Sequence, residues 1–107
     1  MKIDERLLND IINKIKTHFH PLKVILFGSY AEGKSKPDSD VDLLVIMKSN
    51  ERPAKRAIKI RKLCRPRFLS MDILVRTPRE IEERLKINDF FIKKIIENGR
   101  VVYERKI

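Results

Sequence analysis

Two short stretches hold residues whose types and spacing can do chemistry. The first is Gly28-Ser29-Tyr30-Ala31-Glu32-Gly33 and the second is Ser39-Asp40-Val41-Asp42, so the pattern is Gly-Ser, ten residues, then Asp-x-Asp. At ordinary residue frequencies, four fixed positions of this kind coincide in about one chain in a thousand of this length, which makes a physical task for them worth seeking. On extended backbone, residues two apart point the same way, so Asp40 and Asp42 set two carboxylates on one side. Adjacent anions repel, and a magnesium ion with oxygen ligands resolves that repulsion without a raised pKa or an opened strand end. Asp72 is the candidate third acid, because Met71-Asp72-Ile73-Leu74-Val75 puts one carboxylate inside an otherwise apolar strand, where an unpaired acid would be costly.

Gly28-Ser29 has the opposite electrostatic sign. A glycine admits close backbone approach, and a helix starting just after it would offer free N–H groups to phosphate. Three acids beside a phosphate cradle imply phosphoryl or nucleotidyl transfer from a nucleoside triphosphate, with metal stabilising the charge on the leaving oxygen. Asp72 is also placed to take the proton of an acceptor hydroxyl.

The elements that must position these groups follow from periodicity. Leu7, Leu8, Ile11, Ile12, Ile15 and Phe19 predict a helix over about 4–19, capped by Asp4 and stopped by Pro21. Lys23 to Phe27 and Val41 to Met47 read as buried strands on either side of a polar loop. A helix from Pro53 would turn Ala57, Ile60, Leu63 and Cys64 inward and Lys55, Arg56, Lys59 and Lys62 outward. A third strand spans about 68–75, parallel to the second through a right-handed crossover. Thr77-Pro78-Arg79-Glu80 is a capping box with Pro at the first helical position, opening a helix with Ile81 and Leu85 inward. The last helix buries Phe91, Ile92, Ile95 and Ile96, ends at Asn98-Gly99, and leads to an edge strand at Val101-Val102-Tyr103. The expected fold is therefore α/β: a small mixed sheet of about four strands with helices packed on it, as one domain over residues 1–107.

Composition narrows the function. One cysteine, Cys64, excludes an internal disulfide framework and a cysteine metal finger, and no apolar run approaches the ~18 residues that span a bilayer. A cytoplasmic protein is expected. The 25 Lys+Arg against 15 Asp+Glu give +10, which favours phosphate-bearing ligands or an acidic partner, while the 37% of charged residues also suits a heat-adapted surface. His18 and His20 flank a helix end without further ligands and read as ordinary surface residues. Without aromatics interleaved among Lys55, Arg56, Lys59, Lys62, Arg65 and Arg67, stacking on single-stranded nucleic acid is poorly supported.

The stretch from Val24 to Val45 resembles the signature of the DNA polymerase β-like nucleotidyltransferases, in particular the minimal nucleotidyltransferases of the HEPN/MNT antitoxin type. The resemblance implies that Gly28 and Ser29 hold the triphosphate of ATP and that Asp40, Asp42 and Asp72 bind two magnesium ions. It further implies transfer of AMP to a tyrosine hydroxyl of a small helical HEPN-type ribonuclease, neutralising it as an antitoxin does. Glu32 departs from the pattern, since relatives often carry arginine after the Gly-Ser-x-Ala run. Two rival classes stay open at this point: a non-catalytic module that neutralises its partner by occlusion, and a basic nucleic-acid-binding adaptor. The base, the acceptor and a homo-oligomeric state are equally open.

Overall fold

A computed structural model describes residues 5–34, 40–64 and 70–106. The elements run α1 (Glu5–Phe19), β1 (Lys23–Phe27), β2 (Val41–Ile46), α2 (Pro53–Cys64), β3 (Met71–Arg76), α3 (Pro78–Lys86), α4 (Phe90–Asn98) and β4 (Arg100–Glu104). The four strands form one mixed sheet in the order β3-β2-β1-β4. β2 is antiparallel to β1 and parallel to β3, and β1 is also antiparallel to β4. The expected mixed sheet and the parallel β2–β3 pair are both present, with β4 as the closing edge strand. The Asp4 cap and the start of the third strand at 68 lie outside the described residues.

Strand alternation sorts the side chains into two faces and the helices cover both. Val24 and Leu26 of β1, Val41, Leu43 and Val45 of β2, and Ile73 and Val75 of β3 meet Leu8, Ile11, Ile12 and Ile15 of α1 and Ile60 and Cys64 of α2. On the other face Ile25, Leu44 and Ile46 meet Ile81 of α3 and Ile92 and Ile95 of α4, with Phe27 and Leu74 packed at the margin. The result is three layers, helices α1 and α2 over one face and α3 and α4 over the other. β1 and β2 are buried on both sides, which is why they read as continuous apolar runs.

Local signals set the joints. His20, at φ 50°, takes the left-handed conformation that ends α1, its N–H donating to the Lys16 carbonyl at 3.2 Å, and Pro21 follows. At α3 the Thr77 hydroxyl accepts from the Glu80 N–H at 3.1 Å while the Glu80 carboxylate accepts from the Thr77 N–H at 2.7 Å, completing the expected capping box. Gly99 lets the end of α4 lie against β1: a Cβ there would sit 2.5 Å from both Ile25 Cγ2 and the Ile95 carbonyl oxygen.

Four side chains differ from the sequence expectation. Arg56 is not on the basic outer face of α2 but buried, with 7% of its surface exposed. Its Nη1 donates to Glu80 Oε1 at 2.6 Å and to the Val75 carbonyl at 3.3 Å, so the guanidinium ties α2 to the start of α3. Periodicity marks a charged residue as outward because it cannot see a counter-charge 24 residues away. Leu85 and Ile96 remain exposed, and so does Phe91, because α3 and α4 are short and each reaches the sheet with a narrow stripe.

Burial acts to raise the Glu80 carboxyl, but the Arg56 hydrogen bond and the Thr77 N–H outweigh it and hold the pKa below its ordinary 4.5. Glu80 therefore contributes stability above that value that is lost as pH falls. Glu80→Gln leaves the Arg56 charge without its partner and should lower the unfolding free energy by about 1–2 kcal/mol, less than for a fully buried pair because Glu80 is partly solvated. Lys55→Gln, at the exposed Glu51 pair, should leave the urea midpoint essentially unchanged.

Candidate active site

The register of the sheet builds the site. Asp42, the second residue of β2, pairs across the parallel ladder with Asp72, the second residue of β3, and across the antiparallel ladder with Phe27, the last residue of β1. These three form one transverse row on one face, with neighbouring strands ~4.8 Å apart. The rows behind it are Leu74-Leu44-Ile25 and Arg76-Ile46-Lys23. Helices α3 and α4 cover the apolar row and leave the acidic row at the end of the sheet open to a cavity of about 330 Å³.

Gly28 sits directly over Asp42. At φ 75° it occupies the left-handed region, and a Cβ at this position would collide with Asp42 Oδ2. Only glycine therefore allows the turn and the carboxylate to share this space. Contrary to expectation, no helix begins after Gly28-Ser29; residues 29–33 form turns. The Glu32 N–H donates to the Gly28 carbonyl at 3.1 Å and the Lys34 N–H to the Ser29 carbonyl at 2.8 Å. Gly33 at φ 71° breaks the helical geometry, so the helix end that the sequence reading placed after Gly28-Ser29 is not formed there.

Electrostatics follow from the row. Burial, then the Asp72 charge and then the Asp40 charge push the Asp42 carboxyl from 3.8 up to about 6. Asp40, exposed and one residue before β2, is close enough for its charge to be felt at Asp42. Gly28, Asp42 and Asp72 line the cavity, whereas Asp40 and Ser29 lie outside its wall. Among the described residues no three His, Cys, Asp or Glu groups are already gathered as a metal-holding set. The adjacent Asp42 and Asp72 oxygens nonetheless suit a hard divalent cation, which would relieve the repulsion that raises Asp42.

The cavity also gathers residues that sequence reasoning left unassigned: Phe27, Phe91, Lys94 and Asn98. Phe91 was expected in the core; it instead meets Phe27 edge-to-face with ring centroids 5.8 Å apart and keeps 55% of its surface exposed. Lys94 lies 4.0 Å from Glu32 across the cavity mouth. Their spacing of three and four along α4, from Phe91 to Lys94 and on to Asn98, was the available signal, but which face of α4 meets the acids is a tertiary matter.

A polymerase beta nucleotidyltransferase model matches residues 9–107. The chain belongs to that family. It is 30% identical over 104 residues to the Methanocaldococcus jannaschii protein named "Putative protein adenylyltransferase MJ0604", covering 94% of this chain and 98% of the relative. A second protein of that organism, "Putative protein adenylyltransferase MJ1305", is 36% identical over 118 residues, covering 96% of this chain and 76% of the relative. In fold the chain is similar to a Sulfolobus solfataricus crystal structure described as "a putative nucleotidyltransferase", with TM-score 0.65, 22% identity, and 94% and 79% of the two chains covered. The resemblance seen in the sequence thus holds at the level of the nucleotidyltransferase family and fold, and the protein is a nucleotidyltransferase.

Asp42 binds its proton more tightly folded than unfolded. The folded state is therefore favoured in full below 3.8, and that advantage is lost as pH rises through about 6. In metal-free buffer the melting temperature of Asp42→Asn, measured against the parent chain, should climb across this window and level off above it. A difference that is flat with pH would mean that ionisation of Asp42 is not opposed in the fold.

Proposed function

We propose that this nucleotidyltransferase moves AMP from ATP to a protein hydroxyl, with Asp40, Asp42 and Asp72 as ligands of two magnesium ions and Gly28 and Ser29 holding the triphosphate. The observation that carries this reading is the in-register Asp42–Asp72 pair, pressed against a glycine turn at the mouth of a cavity. The description of the two Methanocaldococcus jannaschii relatives as "Putative protein adenylyltransferase" supports the protein acceptor.

Bound magnesium would supply charge compensation for the triphosphate and the departing pyrophosphate. The chain's own residues do the rest. Gly28 leaves room for the Asp42 carboxylate beneath the turn, and the backbone at Gly28 and Ser29 would hold the phosphate chain beside it. The acceptor oxygen bonds to the α-phosphorus as the bond to the bridging oxygen of the β-phosphate breaks, so pyrophosphate leaves with that electron pair. A carboxylate oxygen of Asp72, the most exposed acid of the row, takes the acceptor's proton.

The partner follows from the resemblance: a small helical protein of the HEPN type, presenting a tyrosine hydroxyl at the cavity and silenced by its modification. Positive net charge suits an acidic contact surface on that partner.

With ATP labelled at the α-phosphate, magnesium and a co-isolated partner, label should enter the partner and pyrophosphate should be released. Asp72→Asn should lower the rate about 100-fold or more, and chelation of the metal or joint replacement of Asp40 and Asp42 by alanine should abolish it. Neutralisation of the partner that survives the double replacement, with no label transferred, would identify an occluding module instead.

A further inference from the structure

The cavity extends well beyond the carboxylates. From the acidic row it runs past Phe27, Phe91 and Ile95 to Lys94 and Asn98 on α4, and its volume of about 330 Å³ falls at the small end of ligand pockets. A triphosphate and its cations need charge, which Asp42, Asp72 and the Gly28 turn provide. They have no use for an aromatic wall.

Among the exposed large hydrophobic residues of the described chain, Phe91 is the one that lines the cavity. Ile92 and Ile95 anchor α4 to the sheet, and Phe91 instead faces the cavity, more than half exposed, at a hydration cost that a core position would remove. Its ring is not loose: the edge-to-face contact with Phe27 fixes its plane. Phe27 is itself the third member of the transverse row, one strand from Asp42. An aromatic face is thus held at a set orientation beside the acids. At the same wall Asn98 offers an amide donor and acceptor, and Lys94 a cation that lies 4.0 Å from Glu32.

We propose that this wall seats the aromatic base of the nucleotide, with Phe91 as the face against which the base stacks and Lys94 as the cation at the rim. The inference rests on the nucleotide reading above. A flat heteroaromatic ring suits the exposed Phe91 face, while Asn98 suits the polar edge of a base better than the apolar body of a tyrosine acceptor.

Calorimetry separates the two levels of the claim by comparing magnesium–ATP with magnesium–tripolyphosphate, which lacks base and sugar. The parent chain should prefer ATP by about tenfold or more, and Phe91→Leu should remove most of that preference while leaving tripolyphosphate affinity within about twofold. Phe90→Leu is the control, since Phe90 is 80% exposed and no part of the cavity wall; it should leave both affinities unchanged. Phe91→Trp should keep the preference, and its indole fluorescence should respond to ATP and not to tripolyphosphate. The inference is overturned if Phe91→Leu retains the full preference, or if it binds ATP as the parent does but loses transfer, which would assign the wall to the acceptor. A parent chain that binds neither ligand would overturn the nucleotide reading and this inference with it.

Discussion

Two like charges set side by side are the constraint on which the rest of this fold depends. Parallel pairing of β2 and β3 brings Asp42 and Asp72 into one register position, an arrangement that raises the Asp42 carboxyl and favours any cation that can bridge the two. A sheet built only for stability would not place them there. The register is nonetheless fixed, because slipping β3 by one residue would expose Ile73 and Val75 and bury Asp72 and Leu74 on the wrong face. Apolar burial over the length of the strands holds the acids together at their ends.

The helices complete this division of labour. α1 and α2 seal one face fully, whereas α3 and α4 close the other only as far as the row of Ile25, Leu44 and Leu74. Short helices with a narrow apolar stripe are what leave the acidic row uncovered. Arg56 and Glu80 link the two sides around β3: the guanidinium reaches from α2 to the Val75 carbonyl and to the carboxylate that caps α3. One ion pair thereby fixes the start of α3, the helix packed beside the α4 wall of the cavity.

A basic chain with an acidic centre is a consistent design for handling nucleotides. The surplus of positive charge draws polyanions toward the surface by long-range attraction. At the site itself the carboxylates repel a bare polyphosphate, so in the proposed reading divalent cations would accompany the triphosphate into it. Family membership, established over residues 9–107, agrees with this electrostatic logic.

Much of this was legible in the chain itself. Helices and strands appeared as periods of 3.6 and runs of apolar residues, the capping box at Thr77 and Glu80 as a local spacing, and the acids as an i, i+2 pair with one further acid in an apolar strand. These signals survive in sequence because each rests on contacts between near neighbours or on the polarity of a single face. The fit of Gly28 over Asp42, the burial of Arg56, and the placing of Phe91, Lys94 and Asn98 beside the acids did not appear there. Each depends on groups far apart in the chain: a Cβ-sized gap over Asp42, a counter-charge at Glu80, and the face of α4 that Ile92 and Ile95 leave toward the cavity. Sequence determined which residues could do chemistry; packing decided which of them share one space, because only the folded chain brings non-local charges and shapes within range of each other.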